Sequence, residues 1–237
     1  MSQSDGNMWL YQLGIRALKA GMQLVSPLNE KIRKGIKGRK SWREKLAQIR
    51  KPGENWVWIH CASLGEFEQG RNLIDDLYHR HPDWKIMVTF FSPSGYEIRK
   101  DYRHAHAVMY LPIDTSETAR DWVEALQPRL VMFIKYELWL NFISEIHRKK
   151  IPLLLVAARL TSGSSFLAGP LQKAYQTAFQ RFTHIFTQDQ QTLKLLSPIV
   201  ERDKMSVSSD TRYDRVQANK ASFTPISEVE RFVEGRT

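Results

Sequence analysis

Short, almost wholly apolar runs alternate with longer stretches of mixed polarity through most of the chain. Seven of these runs have the length of strands and lie at residues 56–62, 85–91, 107–111, 130–134, 152–156, 184–187 and 204–207. Six stretches of helical length lie between them, at residues 66–79, 95–103, 115–126, 138–149, 171–181 and 190–196. Strands that are apolar on both faces need a layer of helices on each side, which a parallel sheet provides. The pattern therefore predicts an α/β fold with a doubly wound, mostly parallel sheet.

The net charge of +10 over 237 residues is concentrated at the amino-terminal end. Residues 1–51 hold twelve Lys and Arg against three Asp and Glu, whereas the rest of the chain holds 23 against 22. A protein that binds nucleic acid through its folded surface usually carries cations throughout its sequence. We therefore expect no nucleic-acid partner. The single cysteine, Cys61, cannot form an internal disulfide and is typical of a reducing compartment.

The amino-terminal segment has the pattern of an amphipathic helix. Apolar residues, Trp9 and Leu13 among them, are dense from residue 8 to residue 28, and most share one face at helical spacing. Arg16 and Lys19 stand near the middle, where a cation inside a bilayer costs about 2.5–3.5 kcal/mol, so an interfacial helix is favoured over a crossing one. Eight Lys and Arg follow between residues 31 and 45 and would be attracted to anionic membrane lipids. The alternative is a surface helix that covers the core of the following domain.

Charged residues follow two of the predicted strands, at the edge of a parallel sheet where ligands bind. Glu66 comes after the first strand and opens a helix, where a carboxylate either interacts with the helix dipole or acts as a general base. Glu137 comes after the fourth strand and either caps a helix or contacts a ligand. The topology allows the two glutamates to converge over one cleft.

Other strand ends carry cations and small residues. Arg159 and Arg212 either bind phosphate or carboxylate through paired hydrogen bonds or form surface ion pairs. Ser94 and Gly95 precede a helix and either receive an anion on backbone N–H groups or form a tight turn. The chain contains no phosphate loop, dinucleotide-binding glycine motif or nucleophile elbow, and its paired histidines lack the companion ligands of a metal site. We expect neither a cofactor nor a metal.

Residues 60–66 read H-C-A-S-L-G-E. They resemble the H-x-x-S-x-G-E segment of the bacterial lipid A Kdo transferases, which add 3-deoxy-D-manno-octulosonic acid (Kdo) to a lipid A precursor. The resemblance continues in the family's order through residues 38–40, 42–46, 92–95, 110–114, 137–139 with 141, 158–160 and 211–214. Each short match is weak, but together they extend over most of the chain.

The resemblance implies a GT-B glycosyltransferase, in which one Rossmann-like domain receives the lipid acceptor and a second receives the nucleotide sugar. It implies transfer of Kdo from CMP-Kdo to lipid IVA, without a metal, at the cytoplasmic face of the inner membrane. Glu66 then matches the general base, and Glu137 matches a second functionally important acidic position. The substrate-binding residues expected on this basis are Ser63, Gly65, Ser94, Gly95, Arg159 and Arg212.

The chain departs from the family pattern beside the second glutamate and in length. Lys135 and Tyr136 stand where the family commonly has an acidic residue and Thr, and Leu140 stands where it usually has Pro. Family members are considerably longer than 237 residues. We therefore expect a membrane-associating segment at 1–51, an acceptor domain at 52–220 and, at 221–237, a linker to an absent donor domain. We expect little activity from this chain alone; the alternative is a non-catalytic domain that binds membrane or acceptor lipid.

Overall fold

The computed structural model describes residues 7–135 and 137–208, in which three helices precede an alternation of strands and helices. The helices at the amino-terminal end are α1 (Met8–Val25), α2 (Glu30–Arg39) and α3 (Trp42–Ile49). The alternation then runs through β1 (Asn55–Cys61), α4 (Leu64–Arg80), β2 (Trp84–Phe90), α5 (Pro93–Arg99), β3 (Ala107–Tyr110), α6 (Ser116–Leu126), β4 (Leu130–Ile134) and α7 (Leu140–Arg148). It continues through β5 (Leu153–Ala158), α8 (Gln172–Gln180), β6 (His184–Thr187), α9 (Gln190–Leu196) and, after a turn of 3-10 helix, β7 (Met205–Val207).

The seven strands form one sheet in the order β3-β2-β1-β4-β5-β6-β7. Each of the six neighbouring pairs is parallel. The predicted α/β fold with a doubly wound parallel sheet is thus confirmed, and each predicted strand end lies within two residues of the observed one. The boundary predicted at residue 220 and the linker predicted at 221–237 lie outside the described residues.

The core occupies both faces of the sheet, because the central strand β1 is apolar on both sides. On one face, Trp58 is fully buried and packs edge-on against Phe133 and Phe142. On the other face, Ile59 belongs to a separate apolar cluster that includes Phe67 from α4. Two packed layers of this kind require the helices to lie on both sides of the sheet.

The basic amino-terminal segment forms helices that pack on the face of the sheet that carries Trp58. Trp42 and Leu46 of α3, together with Tyr11 and Ile15 of α1, are buried in the same cluster as Trp58. The segment predicted as a separate unit at 1–51 therefore contributes side chains to the core of the domain that follows it. Its division from that domain at residue 51 stays a prediction.

Helix α1 turns a polar edge toward the domain and an apolar face away from it. Gln12 donates hydrogen bonds to the Asn141 side chain (2.6 Å) and to the Ser116 hydroxyl (2.8 Å). By contrast, large apolar side chains of this segment are exposed: Trp9 by 65%, Leu13 by 57%, Leu24 by 78% and Leu28 by 90%. The alternative in which the helix covers the core accounts for Tyr11 and Ile15, which are buried, and for Met8, which packs against the core, but not for these exposed side chains. Within residues 7–135 and 137–208, none of the helices combines the length and the hydropathy that crossing a bilayer would need.

A buried carboxylate fastens α1 to the edge of the sheet. Asp114 follows β3 and accepts hydrogen bonds from the Tyr11 hydroxyl (2.5 Å) and from the backbone N–H groups of Asn141 (3.1 Å) and Phe142 (2.9 Å). Burial raises the pKa of Asp114 from its ordinary 3.8 to about 6, although these three donors act in the opposite direction. The ionised carboxylate is therefore less favourable in the folded protein than in the unfolded chain.

The raised pKa of Asp114 predicts that its ionisation opposes folding above pH 6. As the pH falls from about 6 to about 4, the folded state binds a proton that the unfolded state does not, so the free energy of unfolding rises by up to about 3 kcal/mol. Urea unfolding of the wild type and of Asp114→Asn across this range measures the effect. Exposed carboxylates whose pKa values are lowered by cations make the opposite contribution to the free energy of unfolding. That contribution is the same in both proteins, so it cancels when the value for Asp114→Asn is subtracted from that for the wild type at each pH. Parallel pH profiles for the two proteins would contradict the assignment.

Candidate active site

The strand order of the sheet creates a crevice between β1 and β4. After β1 the chain adds β2 and β3 on one side, and from β4 onward it adds strands on the other side. The helices that follow β1 and β4 diverge at this point, and ligands of open α/β sheets bind in the resulting crevice. Glu66 follows β1 and Glu137 follows β4, so both predicted glutamates stand at this crevice.

Glu66 is held in place by a serine of its own helix turn. Ser63 stands at the N-cap position of α4 and Glu66 three residues later, which is the spacing of a capping box. The Ser63 hydroxyl makes no capping bond to the backbone and instead donates a hydrogen bond to Oε2 of Glu66. The carboxylate is buried, and its Oε1 lies 3.8 Å from Nζ of Lys135, a separation typical of an ion pair rather than a hydrogen bond.

Glu137 lies at the end of a polar chain that runs out of the core. Nε1 of Trp139 is 3.0 Å from both Oε2 of Glu137 and Nε2 of His60. His60 is fully buried in β1, and its Nδ1 lies 2.9 Å from the hydroxyl of Thr89, which also accepts a hydrogen bond from Trp58 (2.8 Å). Connected polar groups of this kind limit the positions that each side chain can adopt. Glu137 is therefore positioned from β1 and β2 as well as from its own loop.

The negative charges of the two glutamates both affect the pKa of one buried thiol, that of Cys61. Burial raises the pKa of Cys61 well above its ordinary value, and the negative charges of Glu66 and then Glu137 raise it further. Both carboxylates therefore approach the crevice end of β1. The thiol stays protonated at neutral pH and is unsuited to act as a nucleophile.

The predicted residues Ser94 and Gly95 lie at the start of α5. Ser92 caps this helix by accepting a hydrogen bond from the backbone N–H of Ser94 (3.3 Å), and the two hydroxyl groups lie 2.9 Å apart. A Cβ at Gly95 would lie 2.2 Å from the Phe90 ring and 3.1 Å from the backbone nitrogen of Leu64. The glycine thus lets α5 approach the first turn of α4, the turn that carries Glu66. An anion-binding role for Ser94 and Gly95 stays a prediction.

Two predicted arginines remain, of which the structure describes one. Arg159 follows β5, its side chain is 59% exposed, and it pairs with Asp189 at 4.0 Å, which is the surface ion pair considered as the alternative. Arg212 lies outside the described residues, as does Tyr136. In the part of the chain that the structure describes, no three His, Cys, Asp or Glu side chains are grouped so that they could hold a metal ion.

Three residues of the crevice were not singled out as site residues from sequence. His60 is the most polar residue inside an otherwise apolar strand core, and this contrast is the signal that could have marked it. Trp139 follows Glu137 by two residues, a spacing that gives no indication of their hydrogen bond. Lys135 adopts the left-handed backbone region, with φ of 74°, which is uncommon for a residue with a side chain and concentrates at functional sites.

The packing at Gly95 predicts a contrast between the two glycines beside Glu66. Gly95→Ala should lower the free energy of unfolding by about 1–3 kcal/mol, since its Cβ would overlap the buried Phe90 ring. Gly65→Ala is the matched control, because the nearest atom to its Cβ, the Ser63 hydroxyl, is 3.7 Å away. Urea unfolding of both variants measures the difference, and equal losses of stability would contradict the assigned role of Gly95.

Comparison with known families identifies similar sequences over most of the chain. The family model for 3-deoxy-D-manno-octulosonic-acid transferase (kdotransferase) matches residues 40–215. A 3-deoxy-D-manno-octulosonic acid transferase from Haemophilus influenzae is 27% identical over 165 residues, which are 69% of this chain and 39% of that protein. The enzyme of the same name from Rickettsia felis is 33% identical over 155 residues, which are 65% of this chain and 33% of that protein. The chain thus spans well under half the length of these relatives.

A solved structure with low sequence similarity shares the fold. UDP-N-acetylglucosamine 2-epimerase from Rickettsia bellii superposes with a TM-score of 0.56 at 12% identity, over 76% of this chain and 51% of that one. The likeness supports the doubly wound α/β architecture.

Proposed function

Because the chain belongs to the 3-deoxy-D-manno-octulosonic-acid transferase family, we propose that it is the acceptor-binding part of a glycosyltransferase of lipopolysaccharide synthesis. The proposed reaction is transfer of Kdo from CMP-Kdo to a sugar hydroxyl of lipid IVA. The observation that carries the proposal is the carboxylate of Glu66, buried at the crevice between β1 and β4 and held by Ser63. Glu66, which matches the general base of the family, thus lies at the edge of the sheet where ligands bind.

Glu66 is proposed as the general base of the transfer. Its Oε1 accepts the proton of the acceptor hydroxyl while the hydroxyl oxygen forms a bond to the anomeric carbon of Kdo. The bond between that carbon and the phosphate oxygen of CMP breaks, and CMP leaves. The hydrogen bond from Ser63 to Oε2 fixes the carboxylate, so that Oε1 is the oxygen directed to the substrate. Nζ of Lys135 lies 3.8 Å from this same oxygen, so a cation stands beside the proposed base.

The reaction needs the donor sugar and the base to be held together. The matched residues cover 39% and 33% of the two relatives described above. We therefore assign the activity to an assembly in which this domain works with a second one that carries the nucleotide sugar. Binding of the lipid acceptor is the part of the function that we assign to the present domain.

We also propose that α1 docks the domain on a membrane, at the cytoplasmic face of the inner membrane. Its apolar face is unpartnered within the described residues, whereas Gln12 on the other side bonds to the domain. Arg16 and Lys19 are exposed beside that face, where long cationic side chains can reach lipid headgroups. An apolar helix face flanked by cations is the combination that binds an anionic bilayer surface.

The proposed base predicts a selective loss of turnover in Glu66→Gln. We expect kcat for Kdo transfer to fall by a factor of about 100 or more, because the amide cannot accept the proton, with little change in the KM for lipid IVA. The assay uses this chain joined to the remainder of the Haemophilus influenzae relative, with CMP-Kdo and lipid IVA as substrates. Asp76→Asn is the matched control, since Asp76 lies on the same helix and pairs with Arg80 at the surface.

Two outcomes of this assay would contradict the proposal. Unimpaired transfer by Glu66→Gln would remove Glu66 from the role of base. If the joined wild-type protein binds lipid IVA but transfers no Kdo, the alternative of a non-catalytic domain that binds the acceptor lipid is supported instead.

The docking proposal predicts that exposed leucines of α1 carry the binding to vesicles. Leu13→Ser combined with Leu24→Ser should weaken binding to vesicles of phosphatidylethanolamine and phosphatidylglycerol by about tenfold or more, because two exposed leucines lose their burial in lipid. The control removes two exposed apolar side chains elsewhere, Ile98→Ser with Val207→Ser. Flotation of the vesicles measures binding, and an equal loss in both variants would refute docking through α1.

A further inference from the structure

A cavity of about 270 Å³ lies where the three amino-terminal helices meet the loop after β3. Residues of α1, α2, α3 and α6 line it, and Pro112 and Ile113 of the loop complete its wall. None of its lining residues is among those predicted as catalytic or substrate-binding. The cavity therefore constitutes a separate feature of the same domain.

The charge of this cavity is of one sign. Lys19, Arg39, Lys40 and Arg43 line it, and none of the described residues in its wall is an aspartate or a glutamate. Arg43 pairs outside the wall with Asp121, at 2.5 Å. The three other cations have no carboxylate within ion-pair distance among the residues that the structure describes. A cavity lined in this way attracts anions.

Arg39 carries its charge in a buried position without a counter-charge. Its guanidinium donates hydrogen bonds to the backbone carbonyl oxygens of Gly35 (2.8 Å), Leu111 (2.8 Å) and Phe91. Burial lowers its pKa from 12.5 to about 10, so the group remains a cation at neutral pH. A buried cation is costly unless an opposite charge compensates it. Three of its five N–H groups are used, which leaves donors for an anion in the cavity.

We propose that this cavity binds the phosphate group of a lipid headgroup. Its volume lies just below the range of about 300–1,000 Å³ that encloses a drug-sized molecule, so it suits a headgroup rather than a whole lipid. Lys19 and Met22 of α1 form part of the wall, and the same helix exposes Leu24 and Val25 to the outside. A molecule with an anionic head and acyl chains satisfies both features at once. Recognition of phosphate rests on the cavity alone, and its assignment to a lipid rests on the proposed docking of α1.

The cavity lies beside the candidate active site and is connected to it by two aromatic side chains. The Arg39 guanidinium is 4.5 Å from the centre of the Phe91 ring, and that ring is 4.8 Å from the ring of Trp139. Trp139 in turn donates its hydrogen bond toward Glu137. A headgroup bound in the cavity is therefore held close to the crevice in which the proposed transfer takes place.

Binding of a water-soluble lipid tests the assignment without a membrane. The probes are dibutyryl phosphatidic acid and inorganic phosphate, titrated into the whole chain by calorimetry. Lys19→Gln combined with Lys40→Gln should weaken binding of the lipid by about tenfold, because two charge-assisted contacts are lost. Lys31→Gln combined with Lys37→Gln is the matched control, since it removes the same charge from exposed positions of α2 outside the cavity. The control should bind as the wild type does, and phosphate should compete with the lipid.

Several results would overturn the proposal. Equal weakening in the two double variants means general attraction to a basic segment, and absence of saturable binding by the wild type means no site. Inorganic phosphate that binds as tightly as the lipid would make the cavity a site for free phosphate. The vesicle experiment separates this proposal from docking: if the wild type binds the soluble lipid but does not bind vesicles, docking alone is refuted. If α1 binds vesicles but the two lysine double variants bind the soluble lipid with the same affinity, only the proposal for the cavity is refuted.

Discussion

The burial of β1 on both faces is the constraint on which the rest of the structure depends. The strand lies between β2 and β4, and a separate apolar cluster covers each of its two faces. Because the sheet extends in opposite directions from it, the chain must open a crevice at its carboxyl end. Glu66, Cys61 and His60 all lie at that end, so the packing that stabilises the fold also brings the polar groups of the candidate site to one place.

The strands were predictable from the sequence because a buried parallel sheet requires unbroken apolar runs. The helices α2 and α3 were not, since the charges of the segment dominate its pattern and the residues that dock it are few. Gly38 is an example: a Cβ there would lie 2.2 Å from the ring of Tyr110, a residue more than seventy positions away in the chain. The direction in which α1 faces depends likewise on partners of Tyr11 and Gln12 that are more than a hundred residues distant. Periodicity identifies an apolar face but does not say what will cover it.

Part of the candidate site followed from one rule, that ligands meet parallel sheets at the carboxyl ends of strands. The rule located Glu66 and Glu137, yet the spacing of Ser63 and Glu66 alone indicates an ordinary helix cap. In the folded protein the serine instead bonds to the carboxylate in place of the backbone. His60 and Trp139 belong to the site through contacts between segments that adjoin only in the folded sheet, which no local pattern contains.

The hydroxyl of Tyr11 connects α1 to the segment that carries Glu137, so that the two should move together. It donates to Asp114 and accepts the backbone N–H of Leu140 at 3.2 Å, one residue beyond Trp139. Hydrogen bonds of this kind limit the rotation of α1 relative to the rest of the domain. If α1 lies in the plane of a bilayer, the tilt of that helix sets the angle at which the crevice faces the lipid surface. The geometry of approach for a lipid acceptor would then depend on one phenol and one carboxylate that take no part in the proposed transfer.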